Sequence, residues 1–209
     1  MNFLTLKQDL PRGVNLLAVS KGFKAEDIKT IYALGQKHFG ESRVQETLYK
    51  KEYLKDCKDI VWHFIGRIQS NKIKKIVQNF DYIHSVDSFN KLIKISKMAQ
   101  EFDKILNLMI QVKFEEDPNK GGLEGSKLIQ LWDDFENLEN IRIKGLMTIN
   151  PKGLSSNQNY CLFNKCRELA DELNLTDCSM GMSQDWREAV HAGSTWIRIG
   201  SLIFGERII

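Results

Sequence analysis

The run Leu16-Leu17-Ala18-Val19-Ser20-Lys21 carries four apolar residues into a serine and a primary amine. A lysine amine can condense with a carbonyl compound. A lysine that merely finishes a strand in solvent is the commoner case, and position alone does not separate the two. Two C-terminal segments bear on the choice. "SMGMSQDW" (179–186) sets Gly181 and Ser183 ahead of a helix expected to start near Gln184, and "RIGSLIFG" (198–205) sets Gly200 and Ser201 ahead of a short helix. Helix N-termini present unpaired N–H groups and a partial positive charge, a serine hydroxyl adds a donor, and glycine lets an anion approach the backbone closely. Each segment alone could be an ordinary capped turn. Arg198 is the third polar group: turned inward it would hold a permanent charge, turned outward it is a solvated surface residue.

The elements that must position these groups follow from an alternation of short apolar runs with amphipathic stretches. Eight strands are expected at 15–20, 37–40, 61–66, 81–86, 106–112, 141–149, 177–182 and 195–200, with the second and seventh the weakest. Between them, Ile28, Ile31 and Tyr32 mark a helix stopped by Gly35. Leu92, Ile95, Ala99 and Phe102 mark one capped by Asp87-Ser88, and Phe163, Cys166, Ala170 and Leu173 mark a third. Eight βα units predict a parallel sheet closed into a (β/α)8 barrel, with an open doubly wound sheet as the alternative. The expected organisation is one domain over residues 1–209. In a barrel, Lys21 falls at the C-terminal face where active sites gather, together with Ser42, Arg43, Arg67, Gln69, Asn71, His84, Thr148, Ser183 and Ser201. The irregular stretches 113–123 and 150–157 both follow strands on that face.

Composition narrows the function classes. The 209 residues are 42% hydrophobic and 27% charged, with a formal charge of +3 whose signs are interspersed, which argues against a nucleic-acid or membrane-surface protein. No apolar run is long enough to span a bilayer, and the N-terminus lacks the order of a signal peptide. Cys57, Cys161, Cys166 and Cys178 show no metal or disulfide spacing and read as reduced thiols of a cytoplasmic protein. His38, His63, His84 and His191 are scattered without ligand spacing and read as structural or loop residues, so no metal is expected. An amine on the first strand facing phosphate turns after the seventh and eighth suggests a phosphorylated aldehyde. Pyridoxal phosphate is the common cofactor held in this way.

The motifs "AVSK", "FGESRVQE", "WHFIGRIQSNK", "IHSVDS", "GLMTI" and "CSMGMSQDWREAVHAGSTWIRIGSLIFG" together resemble the pyridoxal phosphate homeostasis protein family, in family order from about residue 15 to 206. The resemblance implies a barrel like the N-terminal domain of alanine racemase that binds pyridoxal 5′-phosphate through a Schiff base on Lys21. It implies phosphate contacts at Ser183, Gly200 and Ser201, a ring-nitrogen contact from Arg198, and lesser contacts from Asn71, His84 and Met182. It further implies a part in vitamin B6 homeostasis without established catalysis, with PLP-dependent apo-enzymes as candidate recipients. A monomer, without nucleic-acid or membrane partners, is the expected state. Two departures stand out. Ser42 occupies the place where the family usually has asparagine, and the short N-terminus leaves little room for the family's leading helix. The alternative function is an amino-acid racemase with Lys21 as one base; the chain ending at Ile209 would then lack the second domain that supplies alanine racemase with its other base.

Overall fold

The alternation in "NLLAVSK" sets the architecture. In a computed structural model describing residues 3–115 and 121–206, strand β1 (Asn15–Val19) is buried on both faces from Leu16 onward. Leu16 and Ala18 pack outward under the helices, while Leu17 points into a separate inner cluster with Met109, Met147 and Trp196. Strands covered on both sides need apolar residues at consecutive positions, which explains runs such as "LLAV".

The chain continues through β2 (His38–Glu41), β3 (Val61–Phe64), β4 (Tyr82–Val86), β5 (Leu106–Lys113), a two-residue β6 (Leu123–Glu124), β7 (Ile141–Met147), β8 (Asp177–Ser179) and β9 (Trp196–Ile199). Every pairing is parallel, in the order β4-β3-β2-β1-β9-β8-β7-β5, and a β4–β5 pairing closes the ring. The eight expected strands are therefore those of a closed barrel, and the open-sheet alternative is set aside. Close approach of neighbouring strands is tightest at Gly145, where a Cβ would sit 1.9 Å from the Asp177 carbonyl oxygen.

Helices α1 (Phe3–Asp9), α2 (Ala25–Ala33), α3 (Val44–Tyr53), α4 (Ile73–Asn79), α5 (Phe89–Glu101), α6 (Gly125–Gln130), α7 (Trp132–Glu136), α8 (Ser156–Glu172), α9 (Trp186–His191) and α10 (Ser201–Phe204) accompany the strands. The expected stripes on α2, α5 and α8 face the outer core. Three expectations are corrected. A leading helix is present after all: α1 buries Phe3 and Leu6, so about two turns suffice to anchor it. Ser88 holds the N-cap position of α5 without a capping bond from its side chain, while Asp87 pairs with Lys91 instead. The helix after β8 begins at Trp186 rather than near Gln184, because residues 182–185 close a turn in which Asp185 accepts from the Met182 N–H at 2.6 Å.

Candidate functional site

Inward-facing side chains alternate along each barrel strand, so residues 17, 19 and 21 share one direction. Val19 and Lys21 emerge into a cavity of about 540 Å³ at the C-terminal mouth, lined also by Phe23, Ile65, Met147, Ile149, Met182, Ser183, Arg198, Gly200, Ser201, Gly205 and Glu206. Its size lies within the range of small-molecule sites. Six of the eight residues singled out from the sequence meet there: Lys21, Met182, Ser183, Arg198, Gly200 and Ser201.

The backbone carrying Lys21 is held on both sides by one charge cluster, buried at Glu41 and Lys50 and half-buried at Glu46. Ser20 Oγ donates to Glu41 Oε1 at 2.7 Å, and the Gly22 N–H donates to Glu46 Oε1 at 2.6 Å. Between the two carboxylates, Lys50 Nζ donates to Glu41 at 2.6 Å, to Glu46 at 2.6 Å and to the Ser20 carbonyl at 2.8 Å. Burial raises the Glu41 carboxyl above its usual range against the pull of Lys50. Burial also opposes the charge on Glu46, but the bonds from Lys50 and Gly22 prevail and hold that carboxyl low. These three residues were missed in the sequence. The available signals were the four-residue spacing of Glu46 and Lys50 and the outward parity of Ser20 and Glu41 on adjacent strands.

Across the mouth, the Ser183 and Ser201 hydroxyls lie 3.0 Å apart. Helices α9 and α10 have only six and four residues, so their dipoles are slight, and the groups on offer to an anion are the paired hydroxyls and small residues instead. Gly181 has φ of +89°, and a Cβ there would lie 2.6 Å from that of Ala189; only glycine lets the turn bearing Ser183 pack on α9. Arg198 does turn inward. It is 5% exposed, with Nη1 donating to the Ser179 carbonyl at 2.5 Å and to Ser179 Oγ at 2.8 Å, and Nη2 donating to the Thr148 carbonyl at 2.9 Å. Burial lowers its pKa to about 10, which leaves it charged at neutral pH.

The structure does not bring the other two residues to the cavity lining. His84 is fully buried beneath it, bonded to Ser179 Oγ at 2.9 Å, so it faces Arg198 through Ser179 rather than the cavity itself. Asn71 is exposed on a 3₁₀ turn over Ser70–Lys72, where neither this cavity nor its neighbour includes it. That neighbouring cavity, about 580 Å³, takes Ser42, Arg43, Arg67 and Gln69. The loop 150–156 borders Ser183 and Ser201 from the other side; of the stretch 113–123, residues 116–120 lie outside the described residues. Among the described residues no cluster has the donors for a metal ion.

The donor set is thus an amine, a buried guanidinium and two converging hydroxyls, which suits a ring compound bearing an aldehyde and a phosphate. Comparison with known proteins agrees. The family model "Alanine racemase, N-terminal domain" matches residues 1–208. A pyridoxal phosphate homeostasis protein of Synechocystis is 44% identical over 95% of this chain and 94% of its own length. One from Aquifex aeolicus is 42% identical over 94% of this chain and 90% of its own. The chain belongs to the pyridoxal phosphate homeostasis protein family. Among solved structures, the family member PipY of Synechococcus elongatus, with PLP bound, superposes with a TM-score of 0.93 at 42% identity over 97% of both chains. The barrel of this homeostasis-family chain is accordingly of the alanine racemase N-terminal type.

Proposed function

We propose that this protein holds pyridoxal 5′-phosphate on Lys21 at the barrel mouth and serves intracellular vitamin B6 homeostasis without turning over a substrate. The observation that carries the reading is the convergence of Lys21, Arg198, Ser183 and Ser201 on one cavity. The relatives' name and the PLP-bound PipY structure support it. When bound, the cofactor supplies an aldehyde that condenses with a primary amine and a ring that can act as an electron sink. The Glu41–Lys50–Glu46 cluster fixes the chain at Ser20 and Gly22 and so directs the Lys21 amine. The Ser183 and Ser201 hydroxyls would bind the phosphate, with Gly200 permitting close backbone approach. Arg198, charged at neutral pH, would stand at the ring nitrogen and disfavour its protonation, which would restrain electron withdrawal. Met182 packs at the rim. The barrel, residues 1–209, would act as a single cofactor-binding domain, as a monomer in the cytoplasm, passing its cargo to PLP-dependent apo-enzymes. Among the described residues, no helix is long and apolar enough to cross a membrane.

The racemase alternative has one observation in its favour: Glu206 lines the same cavity as Lys21, giving a second group able to carry a proton. Two measurements decide. Titration of the purified protein with PLP should raise a visible absorption band that Lys21→Ala abolishes; a colourless wild type at excess PLP would overturn the binding reading. Steady Lys21-dependent racemisation or transamination of the common amino acids would replace the carrier with an enzyme.

A further inference from the structure

Three of the four scattered histidines are assembled by the barrel into one hydrogen-bonded chain ending at Arg198. His38 Nδ1 lies 3.0 Å from His63 Nε2, His63 Nδ1 lies 2.8 Å from His84 Nε2, and His84 Nδ1 lies 2.9 Å from Ser179 Oγ. The parallel register builds this staircase. Gly40 pairs with His63 and Tyr82 pairs with His63, so each histidine stands two residues further towards the mouth than the one on the preceding strand. Two residues is one repeat of the inward-facing set. Tyr82 stacks on the His63 ring at 4.5 Å, and Trp196 lies 5.0 Å from both His38 and His63. Barrel interiors are ordinarily filled by branched aliphatic layers, and imidazoles in that place are tolerated only when their nitrogens are satisfied.

The direction of every bond in the chain follows from one charge. A guanidinium only donates, so Ser179 Oγ accepts from Arg198 Nη1. Among the described residues Ser179 Oγ has no partner besides Arg198 and His84, so its own buried proton is satisfied only by a bare His84 Nδ1. A neutral His84 therefore carries its proton on Nε2 and donates to His63 Nδ1. His63 in turn carries its proton on Nε2 and donates to His38. Burial keeps both interior rings neutral, driving His63 well below the ordinary imidazole range and His84 down to about 3.

The geometry points to His84, backed by His63 and His38, as a positioning residue for Arg198: an imidazole chain locked in the Nε2–H tautomer that pins the Ser179 hydroxyl as an acceptor for the guanidinium. The inference rests on the cofactor reading for its purpose, since a pinned Arg198 keeps a charged donor aimed at the ring nitrogen. Its physical content can be tested on protein without ligand.

The experiment has two arms. In ligand-free protein, side-chain ¹⁵N NMR at neutral pH should show His84 and His63 with bare Nδ1 and protonated Nε2, and Ser179→Ala should turn His84 into a mixture of tautomers. A wild-type His84 protonated on Nδ1, or a Ser179→Ala spectrum with His84 unchanged, overturns the proposal. In the second arm, His84→Leu removes the acceptor, while His84→Asn places a carbonyl oxygen near the position of Nδ1. His84→Leu should weaken PLP binding by about 10-fold, the scale of one hydrogen bond to a charged group, with His84→Asn close to wild type. Equal affinity in all three proteins, or equal loss in both variants, overturns the positioning role. If His84→Leu does not fold, the Ser179→Ala spectrum and the His84→Asn affinity still decide. Failure of the wild type to bind PLP would instead sink the function proposed above, and the NMR arm decides the tautomer chain in either case.

Discussion

Replacing Lys50 by methionine should be among the most damaging single changes outside the apolar core. The Lys50 side chain is 3% exposed and its three donated bonds go to two carboxylates and the Ser20 carbonyl. Methionine fills a similar volume but leaves Glu41, 0% exposed, with the Ser20 hydroxyl as the only remaining donor, and Glu41 Oε2 has no protein partner among the described residues. Breaking a buried pair by removing one partner costs about 3–5 kcal/mol, against about 0.3–0.5 kcal/mol for an exposed helical pair at the same spacing. The pH dependence gives a second handle. Burial already lifts the Glu41 carboxyl above its ordinary range, and loss of Lys50 lifts it further. A carboxyl raised on folding favours the native state as pH falls and disfavours it as pH rises through the raised value. The deficit of Lys50→Met should therefore be largest near pH 8 and shrink towards about pH 5, and adding Glu41→Gln should recover part of it at high pH. Urea denaturation of wild type, Lys50→Met and the double variant measures all three. A loss below about 1 kcal/mol at pH 8, or one that does not change with pH, would refute the reasoning, since it is the signature of a solvated pair.

Other expectations are more direct. Because His63 and His84 are held neutral below their unfolded value of about 6.5, stability present above that pH should fall as the solution is acidified, by about 2 kcal/mol at pH 5 from His84 alone, with His63 adding in the same direction. The raised carboxyls of Glu41 and Asp185 return some of this, so urea denaturation at pH 8 and 5 should show a net drop; a flat profile contradicts neutral interior histidines. Gly181→Ala forces a Cβ into Ala189 at a positive φ and should destabilise by about 1–3 kcal/mol while weakening PLP binding through the Ser183 turn. Unchanged melting and affinity would show that the turn relaxes freely.

The barrel was legible because its strands are written as apolar runs of the right length between helical stripes, and because Lys21 shares the parity of Leu17. The two turns that bring Ser183 and Ser201 together were legible as glycine-serine pairs after the last two strands, as was the shortness of α10, though the shortness of α9 was not. The histidine chain was hidden for a physical reason: His38, His63 and His84 are 25 and 21 residues apart, and only the stagger of neighbouring strands makes them touch. The Glu41–Lys50–Glu46 cluster was hidden in the same way, since its clamp on Ser20 and Gly22 joins two strands and a helix. Asn71 was expected at the C-terminal face, but its contact with the cofactor came only from the family resemblance. Its exposed 3₁₀ turn lies outside the lining of the cavity at Lys21.

The central claim, that Lys21 is the residue that holds the cofactor, is tested most directly by locating the covalent link. The PLP-loaded protein is reduced with borohydride, digested, and mapped by mass spectrometry. The account predicts one stoichiometric pyridoxyl adduct, on the peptide containing Lys21. An adduct on another lysine with Lys21 unmodified, or label scattered over surface lysines, would contradict it.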